Sequence, residues 1–345
     1  MKILFCGYRN PKFVNTTVYR EKALRELGHE VVFFNDRDFM VPGRMAKAFP
    51  YLAGLDVKML NRRLAGAARR EKPDLLIVTG GQGIFPETVQ EIKKTGAGAV
   101  LRTTDPPVIH DKPTAVPRDF RAVVKAAPAY DHVFCAGTEA VRIMRDSGIE
   151  KVTWLPYSCD PDHHRPVELG RDDLAKYARD AVFVGAFYPN RARVLEAVSD
   201  MDIGVWGPNW GRLEKDAPLR CKAFEARMNY DEWVKIYSAA AIVMVIHFDD
   251  GKTACNQASP KLFEALACGC FVLVDGQLDA RTLFRDGEQL VFFKDGRDLR
   301  EKALYYLDHP ELRAEIAAKG RREVLEKHTY RHRMEELISV WSRGR

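Results

Sequence analysis

Short apolar runs alternate with longer amphipathic stretches along most of the chain, and this alternation sets the expected architecture. Residues 3–6 read as a short buried strand, followed by a polar loop over 7–15 and a helix over 16–27 that Gly28 stops. Further strands are expected at 31–34, 75–78, 99–102 and 132–135, each with a helical segment nearby. Such βα alternation implies a parallel sheet with helices on both faces and right-handed crossovers. The pattern breaks over 154–167, where Pro156, Pro161 and Pro166 interrupt a stretch of little periodicity, and a charged segment continues the break to residue 180. It then restarts, with strands at 181–184, 203–206, 242–246 and 271–274, the first two ending at Gly185 and Gly207. Helices are expected over 299–307, 310–327 and 330–341.

The fold class is therefore α/β, with two Rossmann-like doubly wound halves. Residues 1–160 would form one domain, 161–180 a linker, 181–327 a second domain, and 328–345 a final helix returning to the first. Two such halves in one chain would place a ligand in the cleft between them, at the carboxyl ends of the strands. Pattern alone does not separate a transferase from a dehydrogenase or a two-domain binder.

Composition narrows the classes. The 345 residues are 46% apolar and 30% charged, an ordinary globular balance. No apolar run approaches the roughly 20 residues of a membrane span, and the opening MKILFCGYR lacks the apolar core of a signal peptide. A cytoplasmic protein is expected. The seven cysteines, scattered and odd in number, read as reduced thiols. Cys268 and Cys270 form a CxC, yet no second Cys/His pair sits at zinc spacing. A net charge of +6 suits an anionic ligand or loose contact with acidic lipid head groups. It is too small and dispersed for nucleic acid.

The most informative stretch is SPKLFEALACG, residues 259–269, followed by FVLVD. Ser259 suits an N-cap, Pro260 the first helical position and Gly269 the stop. Leu262, Phe263, Leu266 and Ala267 fall at core-facing spacing. The helix N-terminus then lies at the strand ends, where backbone N–H groups favour an anion. Lys261 puts a cation in the first turn, where a cation is locally unfavourable without an anion beside it. Glu264 is one turn on, and a carboxylate there can accept from both hydroxyls of a ribose. The competing reading is a capped amphipathic helix with a surface Lys–Glu pair.

This segment resembles the donor-nucleotide signature of GT-B glycosyltransferases, and most closely the CgeB-like (spore-maturation-protein-like) family. The similarity extends over most of the second half. It includes Gly185 with Asn190, Arg191 and Arg193; Gly207 with Trp210; Asp298 and Leu299; YYLDHPELRAEIAAKG at 305–320; and HTYRHR at 328–333. The resemblance implies transfer of a sugar from a nucleotide-diphosphate sugar to an acceptor hydroxyl, with neither cofactor nor metal. Glu264 would hold the donor ribose. Ser259, Lys261 and the backbone beside Pro260 would meet the pyrophosphate, and Arg191 would stabilise the departing nucleoside diphosphate. The expected donor-binding set is completed by Gly185, Gly207, Asn256 and Phe263. Two residues depart from the pattern. Lys261 replaces the family's usual Arg, and Asn256 stands eight positions before Glu264, where many retaining enzymes carry an acid.

Catalytic candidates beside Arg191 are Asp105, in TTDPP after a strand, as a general base, and His247, at the end of another strand, in catalysis or sugar binding. His110 and Asp111 rank below them. Gly80, Gly81 and Gly83 offer close backbone approach to a substrate. Asp160 and Asp162 have metal-motif spacing but sit in the expected hinge, and His163 and His164 fall in the linker, read as solvent-exposed. His328, Thr329, Tyr330 and Arg333 read as mechanical, leading into a helix whose apolar face carries Leu337, Ile338 and Trp341. The rivals are a nucleotide-sugar epimerase of the same fold and a non-catalytic nucleotide-sugar or glycan-binding module. A nicotinamide oxidoreductase is disfavoured, since CGYRNPK replaces the G-x-G-x-x-G fingerprint after the first strand. The acceptor is expected to be a glycan, protein or small molecule held by the first domain.

Overall fold

A computed structural model describes residues 1–345 except 11–14, 42, 105–106, 109–118, 227–231, 254 and 345. The chain divides into two compact units, Met1–Pro156 with Arg331–Arg345, and Tyr157–Tyr330.

The first unit carries six strands: β1 (Lys2–Gly7), β2 (Glu30–Asn35), β3 (Leu75–Thr79), β4 (Gly98–Arg102), β5 (His132–Cys135) and β6 (Val152–Trp154). They pair in the order β2-β1-β3-β4-β5-β6, every ladder parallel, with Leu4 opposite Val32 on one side and Leu76 on the other. All residues of β3 and β4 are buried. Helices cover both faces of a parallel sheet, so its inner strands read as unbroken apolar runs instead of alternating ones. Leu4, Leu64, Leu76, Leu101 and Met144 lie in one core. The last helix, Tyr330–Arg343, belongs to this unit from Arg331 onward. A Cβ on Gly98 would overlap the Trp341 ring, so the glycine admits this helix against the start of β4. Arg333 Nε donates to the Pro156 carbonyl at 3.3 Å.

The second unit repeats the plan with β7 (Arg179–Val184), β8 (Ile203–Gly207), β9 (Ala223–Glu225), β10 (Ala240–Val245), β11 (Val272–Asp275) and β12 (Val291–Phe293). The order is β12-β11-β10-β7-β8-β9, again all parallel. Counted within this unit, that is the Rossmann order, and it reverses between β7 and β10. At such a switch point the loops leaving the carboxyl ends of the two neighbouring strands run to opposite faces and leave a crevice. Phe183, Trp210, Met244, Phe293 and Leu299 fill the core behind it.

Three strands escaped the sequence reading: β6, β9 and β12. Each has three residues and none lies inside its sheet, so neither length nor burial gives a periodic signal. The charged stretch expected as a linker carries a helix, Arg171–Tyr177, within the second unit. Its Asp173 pairs with Lys235 at 2.9 Å, and Tyr177 donates its hydroxyl proton to Glu232 at 3.1 Å. All seven cysteines are free thiols. Among the described residues no helix is long and apolar enough to cross a membrane.

Candidate functional site

The crevice at the β7/β10 switch point is built from backbone outward. Gly185 follows β7 directly, and a Cβ on Gly207 at the end of β8 would fall inside the Gly185 carbonyl. Glycine at 207 therefore lets the two strand ends close up, and Trp210 fixes the contact by donating its indole N–H to Gly185 O at 2.8 Å. Both glycines act on backbone position.

Pro189 starts the helix Pro189–Glu196, which puts Asn190 and Arg191 in its first turn. Asn190 donates to the His247 carbonyl at 3.1 Å. Arg191 Nε donates to Ile246 O at 3.0 Å and its Nη1 to Ala186 O at 2.9 Å. The guanidinium lies 4.9 Å from the Tyr188 ring centre, and the residue as a whole is 6% exposed. Burial pulls its pKa down, although an arginine keeps its charge. Two of its nitrogens are thus held by carbonyls from the exits of β7 and β10. Nη2 has no hydrogen-bond partner among the described residues.

The loop after β10 leads into the helix Pro260–Ala267. Ser259 occupies the N-cap position with extended backbone angles, but its side chain makes no capping bond. Lys261 and Glu264 follow on one helix face, both half-buried. Burial and then the nearby Arg191 charge lower Lys261 to about 8, against a partial lift from Glu264. Burial raises Glu264 to about 7, opposed by Lys261. Two cations within electrostatic reach of each other at an uncapped helix N-terminus mark a place for an anion.

His247 takes a different place from the catalytic one expected. It is 2% exposed, and both ring nitrogens are used: Nδ1 faces Asp275 Oδ1, and Nε2 accepts the Ser259 backbone N–H at 2.9 Å. Its own N–H donates to Asp275 Oδ2 at 2.9 Å. A ring held this way has no lone pair for a substrate proton. It ties the end of β10 to the start of the helix, through the acid that closes β11. Phe263 is also corrected: it is fully buried, its ring 5.7 Å from those of Phe284 and His328, on the side of the helix away from solvent. It packs the helix and does not line the site. Asn256 contributes its backbone carbonyl, which accepts from Asp279 N at 3.1 Å and anchors the loop.

His163 and His164 are not surface residues. His164 is fully buried, its Nδ1 accepting the Asp160 N–H at 2.9 Å and its Nε2 lying 4.0 Å from Glu264 Oε1. His163 is half-buried, 5.4 Å ring to ring from Trp233. Asp160 Oδ1 accepts from the backbone of Asp162 and His163, so it shapes a turn, while Asp162 points to solvent. Among the described residues no three His, Cys, Asp or Glu side chains converge as metal ligands. His328 packs on Phe284, and Thr329 bridges to Cys159. Gly80 and Gly81 turn with φ of +83° and +76° in the first unit. Asp105, His110 and Asp111 lie outside the described residues.

His164 and Asp275 were missed as site residues. Asp275 had a signal, an acid closing an apolar strand at the same edge. His164 had none, because its burial comes from segments distant in sequence.

Comparison with known proteins agrees with this geometry. Residues 191–339 match the family described as Glycosyl transferase-like. Spore protein CgeB of Bacillus subtilis (strain 168) is 26% identical over 222 residues, covering 60% of this chain and 66% of that protein, so the chain spans about two thirds of that relative. Three solved structures share the fold over 99% of the chain. They are a glycosyltransferase from Rickettsia africae (TM-score 0.69, 13% identity, 98% of that chain), sucrose-phosphate synthase from Thermosynechococcus elongatus (0.68, 12%, 98%), and Anabaena HepE in complex with UDP-glucose (0.66, 12%, 100%). Two parallel six-stranded sheets and these structural matches give the chain the GT-B fold, and its second half is similar to the glycosyl transferase-like family and to spore protein CgeB.

Proposed function

We propose that this glycosyltransferase binds a nucleotide-diphosphate sugar at the β7/β10 crevice and moves its sugar to an acceptor hydroxyl. The observation that carries the reading is the grouping of Arg191, Lys261 and the uncapped helix end with one carboxylate, Glu264. The cations and N–H groups match a diphosphate, and Glu264 matches the paired hydroxyls of a ribose. In the reaction the bond from the anomeric carbon to the diphosphate oxygen breaks as the acceptor oxygen bonds to that carbon. Negative charge grows on the leaving phosphate, and Arg191, pre-oriented by two carbonyls, stabilises it without reorganising. Asp105, three residues beyond β4 in the chain, is the proposed acceptor of the hydroxyl proton. The two cations and the helix end supply the positive charge that a metal ion would otherwise bring, so we propose metal-independent transfer.

The UDP-glucose complex of the Anabaena neighbour makes UDP-sugars the first donors to try. Thermal unfolding is measured with UDP-, GDP-, dTDP- and ADP-sugars, each with and without EDTA. One nucleotide class should raise Tm, by several degrees at 100-fold excess over Kd, since such binding adds about 2.7 kcal/mol. EDTA should leave the shift unchanged. Absence of any shift across all four classes, with the protein folded, would sink the proposal.

A further inference from the structure

Outside the donor site, residues 40–71 of the first unit carry an unusual concentration of exposed apolar side chains. Of thirteen large apolar side chains exposed among the described residues, six fall in this short stretch: Met40, Met45, Phe49, Tyr51, Leu55 and Met59. They form one face. Tyr51, Leu55 and Met59 recur every fourth residue along the helix Pro50–Glu71, opposite the buried Ala53, Val57, Leu60 and Leu64. Phe49 packs edge-on to Tyr51 at 6.1 Å. Met40 is held beside the helix because the Met40 and Val41 N–H groups both donate to the buried Asp56 carboxylate, at 2.9 and 3.0 Å. A helix that buries one face in its core does not need a second apolar stripe in water.

The charge on this segment says what covers it. Residues 40–70 contain seven basic side chains and one acid, Asp56, which is consumed by those two N–H groups. Lys58 and Arg62 share the exposed face with Tyr51, Leu55 and Met59, and Arg44 lies beside Met45. Among the described residues these three cations have no ion-pair partner, whereas Arg63 pairs with Asp38 and Arg69 with Glu91. A second copy of the chain docked symmetrically on this face would bring like charges together. An anionic bilayer meets both features, with apolar side chains entering the acyl boundary and Lys and Arg reaching head groups along their own stems.

We propose that this face seats the enzyme peripherally on an anionic lipid surface. The proposal is independent of the donor site, and its test does not require turnover. The intact protein is sedimented with phosphatidylcholine vesicles, with and without phosphatidylglycerol. It should bind the anionic vesicles at low salt and come off at ~1 M salt, where screening shortens electrostatic reach to about 3 Å. Lys58→Ala with Arg62→Ala should weaken binding roughly 25-fold, about fivefold for each basic residue lost at the surface. Leu55→Glu with Met59→Glu should abolish it. All four positions are exposed, so Tm and the nucleotide-induced Tm shift should stay as in the unaltered protein. The proposal is overturned by equal binding to neutral and anionic vesicles, by no binding to either, or by variants that bind like the parent. It also fails if light scattering shows a dimer that Leu55→Glu dissociates.

Discussion

Arg191→Ala lowers kcat by ~10²–10³-fold, the range seen when one pre-oriented donor to a developing oxyanion is removed. The reason lies in how the side chain is held. Its Nε and Nη1 are committed to the Ile246 and Ala186 carbonyls, so the remaining nitrogen has a fixed direction before any ligand arrives. A donor fixed in advance acts mainly on charge that appears in the transition state. KM for the donor should therefore change much less than kcat. A rise in KM with kcat untouched would assign Arg191 to uniform donor binding and refute its role on the leaving group. Truncation also leaves two carbonyls unpaired in a buried place, at a cost of about 1–3 kcal/mol. Arg191→Lys separates the effects. It retains the cation and loses the fork, and it should recover only part of kcat. Rates are compared at a temperature where each variant is folded by its own melting curve.

The inner framework of both sheets was legible because each inner strand is a run of apolar residues between helices, and β3, β4 and β10 fall within a residue or two of the expected bounds. The switch-point helix was legible for a different reason: Ser-Pro before a core-facing run and Gly after it state a start and a stop. Side-chain direction was not. Spacing made Phe263 core-facing while the resemblance drew it into the donor set, and it turns into a cluster with Phe284 and His328 that only the folded chain assembles. His247 shows the same limit. A histidine at a strand end is equally suited to catalysis or to pinning a loop, and the decision comes from Asp275 and the Ser259 N–H meeting its two nitrogens. His164 is the clearest case, buried against Glu264 from a stretch whose prolines and charges read as surface.

Donor affinity should peak between about pH 7 and about pH 8 and fall on both sides. Glu264 is raised from 4.5 to about 7 by burial, and Lys261 is lowered from 10.5 to about 8 by burial and by Arg191. Ribose hydroxyls bond best to the ionised carboxylate and the diphosphate to the protonated amine, so binding requires both charges. Below about 7 the carboxyl must first lose a proton, and each further unit of acidity weakens binding about tenfold. Above about 8 the amine must first regain one, with the same slope. The unliganded protein follows a related course. With its folded pKa raised, Glu264 contributes stability that is present below 4.5 and lost as pH rises through about 7. With its folded pKa lowered, Lys261 carries a cost that is relieved only as pH rises from about 8 towards 10.5. The site is least comfortable empty in the window where both groups are charged, and a diphosphate with its ribose is what offsets that. Glu264→Gln should flatten the acid limb and leave the alkaline one. Glu264→Ala should weaken binding at the optimum by on the order of 10²-fold, since hydrogen bonds to an ionised acceptor contribute about 1.5–3 kcal/mol each. Calorimetric titration of donor nucleotide across this range measures all three. An affinity that stays level from acid to alkaline pH, or a Glu264→Gln protein that keeps the acid limb, would show that this carboxylate does not grip the donor.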